Sequence, residues 1–246
     1  MDPLKIDTVR LSEAGDALVI IDQTLLPNEV RYLRLRETED ICEAIRMLRV
    51  RGAPAIGVAA AFGAYLAARF APDEQLEGSF LAACDALAAS RPTAVNLFWA
   101  LDRMRRAYAA VRGGEPGEIR RALRREAQAI MDEDIEISRS IGRCGLELLR
   151  PGMGILTHCN AGTLATAKYG TALAPVYAAL EAGLEGLRVY CDETRPLLQG
   201  ARLSAFEMVS AGVDTTLLCD NMASSLMKSG KVDIIFVGCD RVARNG

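Results

Sequence analysis

Four short segments concentrate the groups in this chain that could do chemistry. They are Cys159-Asn160-Ala161-Gly162-Thr163, Asp192-Glu193-Thr194-Arg195-Pro196-Leu197-Leu198-Gln199-Gly200, Asp220-Asn221-Met222 and Asp240-Arg241-Val242-Ala243-Arg244-Asn245. Each follows a short apolar run that reads as a strand. Cys159 sits at such a strand end, where small residues turn into a helix-like pattern; free amides and the helix dipole there favour a thiolate. Packing as a small buried hydrophobe is the alternative, and it is the reading for the other six cysteines. His158 adjoins Cys159, but successive strand side chains face opposite sides. A Cys–His dyad is therefore disfavoured, and His158 reads as a hydrogen-bonded structural residue. Asp240 should emerge at the same edge as Cys159. A thiol and a carboxylate facing one small cavity could move protons between carbon and oxygen, yet helix capping or pairing with Arg241 or Arg244 would serve Asp240 equally well.

Two arginines stand at helix boundaries, in Arg51-Gly52-Ala53-Pro54 and Arg91-Pro92-Thr93. A guanidinium beside the free amides of a helix start suits a phosphate, although either arginine alone is more commonly a surface cation. We expect the two to converge on one phosphate in a cleft between two domains. Other devices are missing. No GxGxxG follows a strand, no GxxxxGK[ST] occurs, and a single histidine is a poor start for a metal site. No cofactor and no metal are expected.

The elements that must position these groups change character along the chain. Val9 to Arg36 alternates apolar and polar residues, with turn chemistry at Gly15-Asp16 and Pro27-Asn28, and predicts an antiparallel meander. Helical spacing follows over Glu39–Val50, Ala55–Ala68, Leu76–Ala89, Asn96–Val111 and Glu118–Met131, with a further helix from about Asp132 to Leu149. Short β-rich runs then alternate with helices. The strands are Gly154–His158, Leu187–Cys191, Thr215–Leu218 and Val232–Val237; the helices are Leu164–Ala182, Ala201–Ala211 and Met222–Lys228. That grammar means βαβ units and a parallel, Rossmann-like α/β sheet. The expected domains are a β-meander and helical domain over 1–130 and a Rossmann-like domain over 131–246. A parallel strand needs cover on both faces, so the stop at Gly246, just after the last strand, implies a continuation of the chain or a partner.

Composition narrows the class. The 246 residues are 50% apolar and 25% charged with a net charge of −3, which excludes disorder and a strongly basic nucleic-acid footprint. Seven cysteines without CxxC spacing read as reduced thiols of a cytoplasmic protein. The apolar run Ala53–Ala68 is shorter than the ~20 residues that span a bilayer, so a buried helix and no membrane contact are expected. Trp99 and Met104 read as core residues of the helical cluster.

The strings Arg51-Gly52-Ala53-Pro54-Ala55-Ile56-Gly57, Ser90-Arg91-Pro92-Thr93-Ala94-Val95-Asn96-Leu97, Thr157-His158-Cys159-Asn160-Ala161-Gly162, Asp192 to Leu203 and Gly238 to Gly246 together resemble the methylthioribose-1-phosphate isomerase family. The resemblance spans essentially the whole chain. It implies a cofactor-independent aldose–ketose isomerase, an intramolecular oxidoreductase that turns 5-methylthioribose 1-phosphate into 5-methylthioribulose 1-phosphate in methionine salvage. It also implies a homodimer. By the same resemblance Cys159 and Asp240 are the catalytic pair, and Arg51, Gly52, Ala53, Arg91 and Gln199 bind the sugar phosphate. The family commonly has Ala where Cys239 stands, and it extends past Gly246 to an Asn-Lys pair that also touches substrate. The alternatives are isomerases of ribose 1,5-bisphosphate or 5-deoxyribose 1-phosphate, and a non-catalytic regulatory subunit of the translation-initiation exchange-factor type.

Overall fold

A computed structural model describes residues 6–239 and 243–246. Packing divides the chain into two units, and the division falls between Glu136 and Ile137, inside one long helix; Ala165–Ala167 group with the first unit.

In the first unit, β1 (Val9–Leu11), β2 (Leu18–Ile21) and β3 (Tyr32–Leu35) form an antiparallel meander in chain order. Ser12 closes the first turn: its hydroxyl donates to Asp16 Oδ1 at 2.7 Å and accepts the Asp16 and Ala17 amides. All four residues of the central strand β2 are buried. Helices α1 (Thr38–Arg46), α2 (Ala53–Phe70), α3 (Leu76–Ser90) and α4 (Val95–Val111) follow near the expected places, except that α1 stops at Arg46 rather than Val50, where Leu48 turns left-handed.

α2 is the core of this unit. It is apolar all round, as a helix surrounded by protein must be, and 13 of its 18 residues are buried. By length and composition it could cross a membrane, but 72% of that window is covered by the fold. Its small residues allow close approach; a Cβ on Gly57 would lie 3.0 Å from the Asn96 carbonyl oxygen, so the opening turns of α2 and α4 meet. Met104 is fully buried here, whereas Trp99 is 45% exposed beneath the Arg103 guanidinium and does not belong to the core.

The two helices expected on either side of Met131 are one. α5 runs unbroken from Pro116 to Leu146, because no Gly or Pro interrupts the stretch between them. Arg103 ties its middle to α4 by bonding both Glu126 and Glu133.

The second unit is the expected parallel α/β sheet. Its strands β4 (Gly154–His158), β5 (Arg188–Asp192), β6 (Asp214–Leu218) and β7 (Ile234–Val237) lie in the order β6-β5-β4-β7, every pair parallel. Numbered by their place in the chain, that is the 3-2-1-4 order of a Rossmann half, with its switch point between β4 and β7. The middle strands are buried, and the edge strand β7 alternates half-buried and exposed residues.

The helices of this unit are shorter than the sequence suggests. Where Leu164–Ala182 reads as one helix, a single 3-10 turn at Thr163–Ala165 is followed by α6 over Ala174–Glu181. Tyr169 and Gly170 both take left-handed backbone, which ends any right-handed helix, and Pro175 starts the new one in its first turn. The pattern over Ala201–Ala211 becomes a wide turn at Gly200–Ser204 running into α7 (Ala205–Ser210). A 3-10 turn at Asp220–Met222 precedes α8 (Ala223–Lys228).

Candidate active site

Ligands of an open α/β sheet bind outside the carboxyl ends of its strands, at the switch point. Cys159 lies there, one residue beyond β4. It is half-buried and has φ +63°, the left-handed region that a residue bearing a Cβ rarely adopts. Two hydrogen bonds hold that conformation. The Cys159 amide donates to Thr194 Oγ1 at 2.8 Å, and the Ser204 hydroxyl donates to the Cys159 carbonyl at 2.7 Å. Backbone strain of this kind persists only where the surroundings enforce it, and it clusters at functional sites.

The helix expected to begin beside Cys159 is absent, since α6 starts only at Ala174. Instead the loop after Cys159 is wrapped around Glu207 of α7. This carboxylate, 1% exposed, accepts from Asn160 Nδ2, from the Thr163 amide at 2.6 Å and from the Tyr177 hydroxyl at 2.8 Å. Burial, with the Glu207 charge beside it, pushes the Tyr177 hydroxyl well above its usual range. The Thr171 and Leu173 amides both donate to the Ala161 carbonyl, closing the loop from its other side.

The segment after β5 supports Cys159 and is itself tied down. Thr194 is also left-handed, with φ +60°. The Thr194 and Arg195 amides donate to Asp220 Oδ1 and Oδ2, each at 2.8 Å. The Arg195 amide, then that of Thr194, holds the Asp220 carboxyl below the ordinary carboxylate range. Gln199 precedes the wide turn, and its amide oxygen is buried with no hydrogen-bond partner among the described residues.

His158 is hydrogen-bonded, through Nδ1 to Asp192 Oδ2 at 3.1 Å, but it is half-exposed at the strand end. One donor atom each from His158, Asp192 and Asp220 lie within 4.8 Å of one another, a grouping of metal-ligand types that spacing along the chain does not reveal. Asp220 already holds two amides and Asp192 Oδ2 holds the imidazole, while Asp192 Oδ1 is buried with no hydrogen-bond partner among the described residues. We assign the three to bracing the strand-end loops.

All seven cysteines are free, with Cys42, Cys84 and Cys191 buried as expected. Burial pushes the Cys84 and Cys191 thiols up to about 12. Cys144, Cys219 and Cys239 are exposed, contrary to their reading as packed hydrophobes. Asp240 lies outside the described residues. The strand leading to it ends with Val237 in register with His158, and a Cβ on Gly238 would sit 3.0 Å from that of Ala161.

In the first unit, Gly52 is the N-cap of α2 with φ +88°, and Ala53 is the helix's first residue. Among the described residues no side chain caps this end, and no acid occupies its first turn, so the helix itself offers its opening amides no anion. Arg51, half-buried, immediately precedes it. Arg91 does not open a helix as expected. It is the C-cap of α3, and its carbonyl accepts the Ala94 amide at 3.1 Å just before α4 begins. The contact of Gly57 with Asn96 brings the Arg91–Ala94 link to the same end of the unit as Arg51.

A parallel 3-2-1-4 sheet with a strained, doubly anchored cysteine at its switch point defines a Rossmann-like α/β protein. The chain belongs to the initiation factor 2 subunit family, whose model matches residues 49–246. It is 60% identical to a methylthioribose-1-phosphate isomerase from Symbiobacterium thermophilum, over 99% of this chain and 68% of that protein. It is 56% identical to a 5-deoxyribose 1-phosphate isomerase from Petrotoga mobilis, over 97% of this chain and 69% of that protein. A crystal structure of 5-methylthioribose 1-phosphate isomerase from Pyrococcus horikoshii superimposes with a TM-score of 0.93 at 41% identity, covering all of this chain and 69% of that one.

Proposed function

We propose that this protein is an aldose–ketose isomerase of a pentose 1-phosphate, converting 5-methylthioribose 1-phosphate to 5-methylthioribulose 1-phosphate. The observation that carries the reading is Cys159, fixed in left-handed backbone at the switch point of a chain 60% identical to a protein named for that activity. A sugar with phosphate on its anomeric carbon cannot open spontaneously to an aldehyde. The C1–ring-oxygen bond must break with its electron pair going to the oxygen, which takes a proton, while the phosphate stays on C1. A proton then leaves C2, one is delivered to C1 and the 2-hydroxyl gives up its own, so that C2 becomes the carbonyl and the two protons released match the two taken up.

Cys159 is the acid for the ring oxygen and Asp240 the base over C1 and C2. Arg51, Gly52 and Ala53 bind the phosphate together with Arg91, where guanidinium groups and the uncapped amides of α2 supply charge-assisted hydrogen bonds. Gln199 presents an acceptor to a sugar hydroxyl, which accounts for a buried amide oxygen left without a partner in the described residues. The setting is methionine salvage in the cytoplasm, and the working form is a homodimer.

A second substrate, 5-deoxyribose 1-phosphate, is favoured by the Petrotoga mobilis relative, and it shares every reacting atom with the first. The test is a coupled assay for ketose 1-phosphate formed from 5-methylthioribose 1-phosphate, 5-deoxyribose 1-phosphate and ribose 1,5-bisphosphate. Turnover of the first, lost in Cys159→Ser and Asp240→Asn, supports the proposal. No ketose from any of the three would overturn it in favour of a sensing, non-catalytic protein.

A further inference from the structure

We infer that Glu207 is the positioning residue of the candidate site: its buried carboxylate sets the loop that aims the Cys159 thiol, without itself touching substrate. The inference deepens the isomerase reading and rests on it for the catalytic part of the test. Residues 159–163 are gripped by one face of one helical segment. Ser204 and Glu207 stand three apart in sequence, where the wide turn passes into α7, and so share that face. Ser204 holds the Cys159 carbonyl and also accepts from Asn160 Nδ2 at 3.1 Å. Glu207 holds Asn160 and the Thr163 amide, the two ends of the turn that follows the thiol.

The loop is also shaped to the carboxylate. A Cβ on Gly162 would stand 2.1 Å from Glu207 Oε2, so the chain passes the carboxylate with no room for a side chain. On its far side, a Cβ on Gly170 would stand 2.4 Å from Gly162 Cα. The turn is thus sandwiched between Glu207 and the left-handed Tyr169-Gly170 corner. A buried carboxylate is costly unless it is well hydrogen-bonded, and at a position whose only task was to fill space an apolar side chain would pack more cheaply. Two donors from the turn and one from α6, aimed at one carboxylate, fix geometry more tightly than apolar packing does, since hydrogen bonds to a charged group are short and directional. Gln199 lies at the head of the same segment, so one element sets both the thiol and the orphaned amide oxygen.

Glu207→Gln keeps the shape but turns an N–H toward donors that need an acceptor. Ser204→Ala is the milder change, removing the hydroxyl that the Cys159 carbonyl and Asn160 Nδ2 share. Both are compared with wild type by kinetics and by peptide-resolved amide hydrogen exchange. We expect Glu207→Gln to lower kcat at least tenfold with KM within threefold, and to speed exchange over 159–164 at least tenfold while β4 and β5 keep wild-type rates. Ser204→Ala should lower kcat at least threefold in the same pattern, and it decides the matter if Glu207→Gln does not fold. A folded variant with wild-type kcat and wild-type exchange over 159–164 would overturn the inference, as would loosened exchange spread evenly through the sheet. Should the wild type make no ketose, the isomerase reading fails, and the exchange measurement still decides whether Glu207 sets the loop.

Discussion

Cys159 and Thr194 hold each other in place. The Cys159 amide donates to Thr194 Oγ1 at 2.8 Å, and both residues take left-handed backbone at neighbouring strand ends, with φ +63° and +60°. The Thr194 hydroxyl donates in turn to the Asp192 carbonyl at 3.2 Å. This hydroxyl is thus the joint between the loop that carries the thiol and the loop that leads to Gln199.

Thr194→Val should break that joint while keeping the side chain's shape. Thr194 is 6% exposed, so the Cys159 amide would lose its partner where water is scarce. Leaving a buried donor unsatisfied costs ~1–3 kcal/mol, which urea denaturation would register. Ketose formation should fall more steeply than stability, because the strained Cys159 backbone relaxes once unpinned. Wild-type kcat in a destabilised variant would separate the joint from the chemistry and count against it.

Gly52 and Gly78 make a paired test of where glycine is required. Gly52 has φ +88°, and a Cβ there would meet the Ala165 carbonyl oxygen at 2.4 Å, a backbone atom with nowhere to go. Gly78 lies in the first turns of α3 with nothing within 4 Å of an added Cβ. Gly52→Ala should therefore lower the melting temperature and activity together, whereas Gly78→Ala should raise stability by about 0.5–1 kcal/mol through helix propensity. Thermal melts of both variants check the pair. Equal effects of either sign would contradict it.

Asp134 should make stability pH-dependent in an unusual sense. Burial pushes its carboxyl from 3.8 up to about 6, against the amide of Ala167 that donates to it at 2.7 Å. The folded state then keeps a proton that the unfolded chain has released. The contribution is greatest below pH 4 and is lost as pH rises through about 6. That difference corresponds to at most ~3 kcal/mol. Asp134→Asn keeps an acceptor for Ala167 and carries no charge, so it should be more stable than wild type at pH 7 and near parity at pH 4. The difference between the two proteins' unfolding free energies across that range is the measurement.

The framework was legible where one signal governs. β4 is read to the residue because Gly154 and the polar His158-Cys159 bracket an apolar run, and β4 in turn places Cys159 at a strand end. The helix wrongly extended over Leu164–Ala182 shows the limit: apolar spacing stays helical through Tyr169-Gly170, and only the left-handed corner packed on Gly162 breaks it. Glu207 was missed because its partners Tyr177, Thr163 and Asn160 are 30, 44 and 47 residues away along the chain. A signal existed, since Leu203 and Glu207 are four apart and share one helix face, and Leu203 is buried. An acid on the apolar face of a helix is a buried carboxylate in waiting. The bracing of His158 by Asp192 had no such mark, because register between parallel strands cannot be read from either strand alone.

Arg51 and Arg91 provide the sharpest test of substrate binding. Both are half-buried, and the contact of Gly57 with Asn96 sets the start of α4, and the link from Arg91, at the end of the unit where Arg51 and the uncapped amides of α2 lie. A phosphate held there would take charge-assisted bonds from both guanidinium groups, each worth ~1.5–3 kcal/mol. Arg51→Ala should therefore lower kcat/KM by roughly 10- to 150-fold, and Arg91→Ala should do likewise. If the two share one anion, the double variant will depart from the product of the single effects, since removing one partner changes what the other can hold. Lysine at either position should restore only part of the loss, because it keeps the charge without the two-pronged fork. Inorganic phosphate supplies a probe independent of turnover: it should protect the wild type in thermal melts and fail to protect the double variant. Strictly multiplicative losses with phosphate protection intact would place the two arginines at separate tasks, and wild-type kinetics in the double variant would remove both from the site.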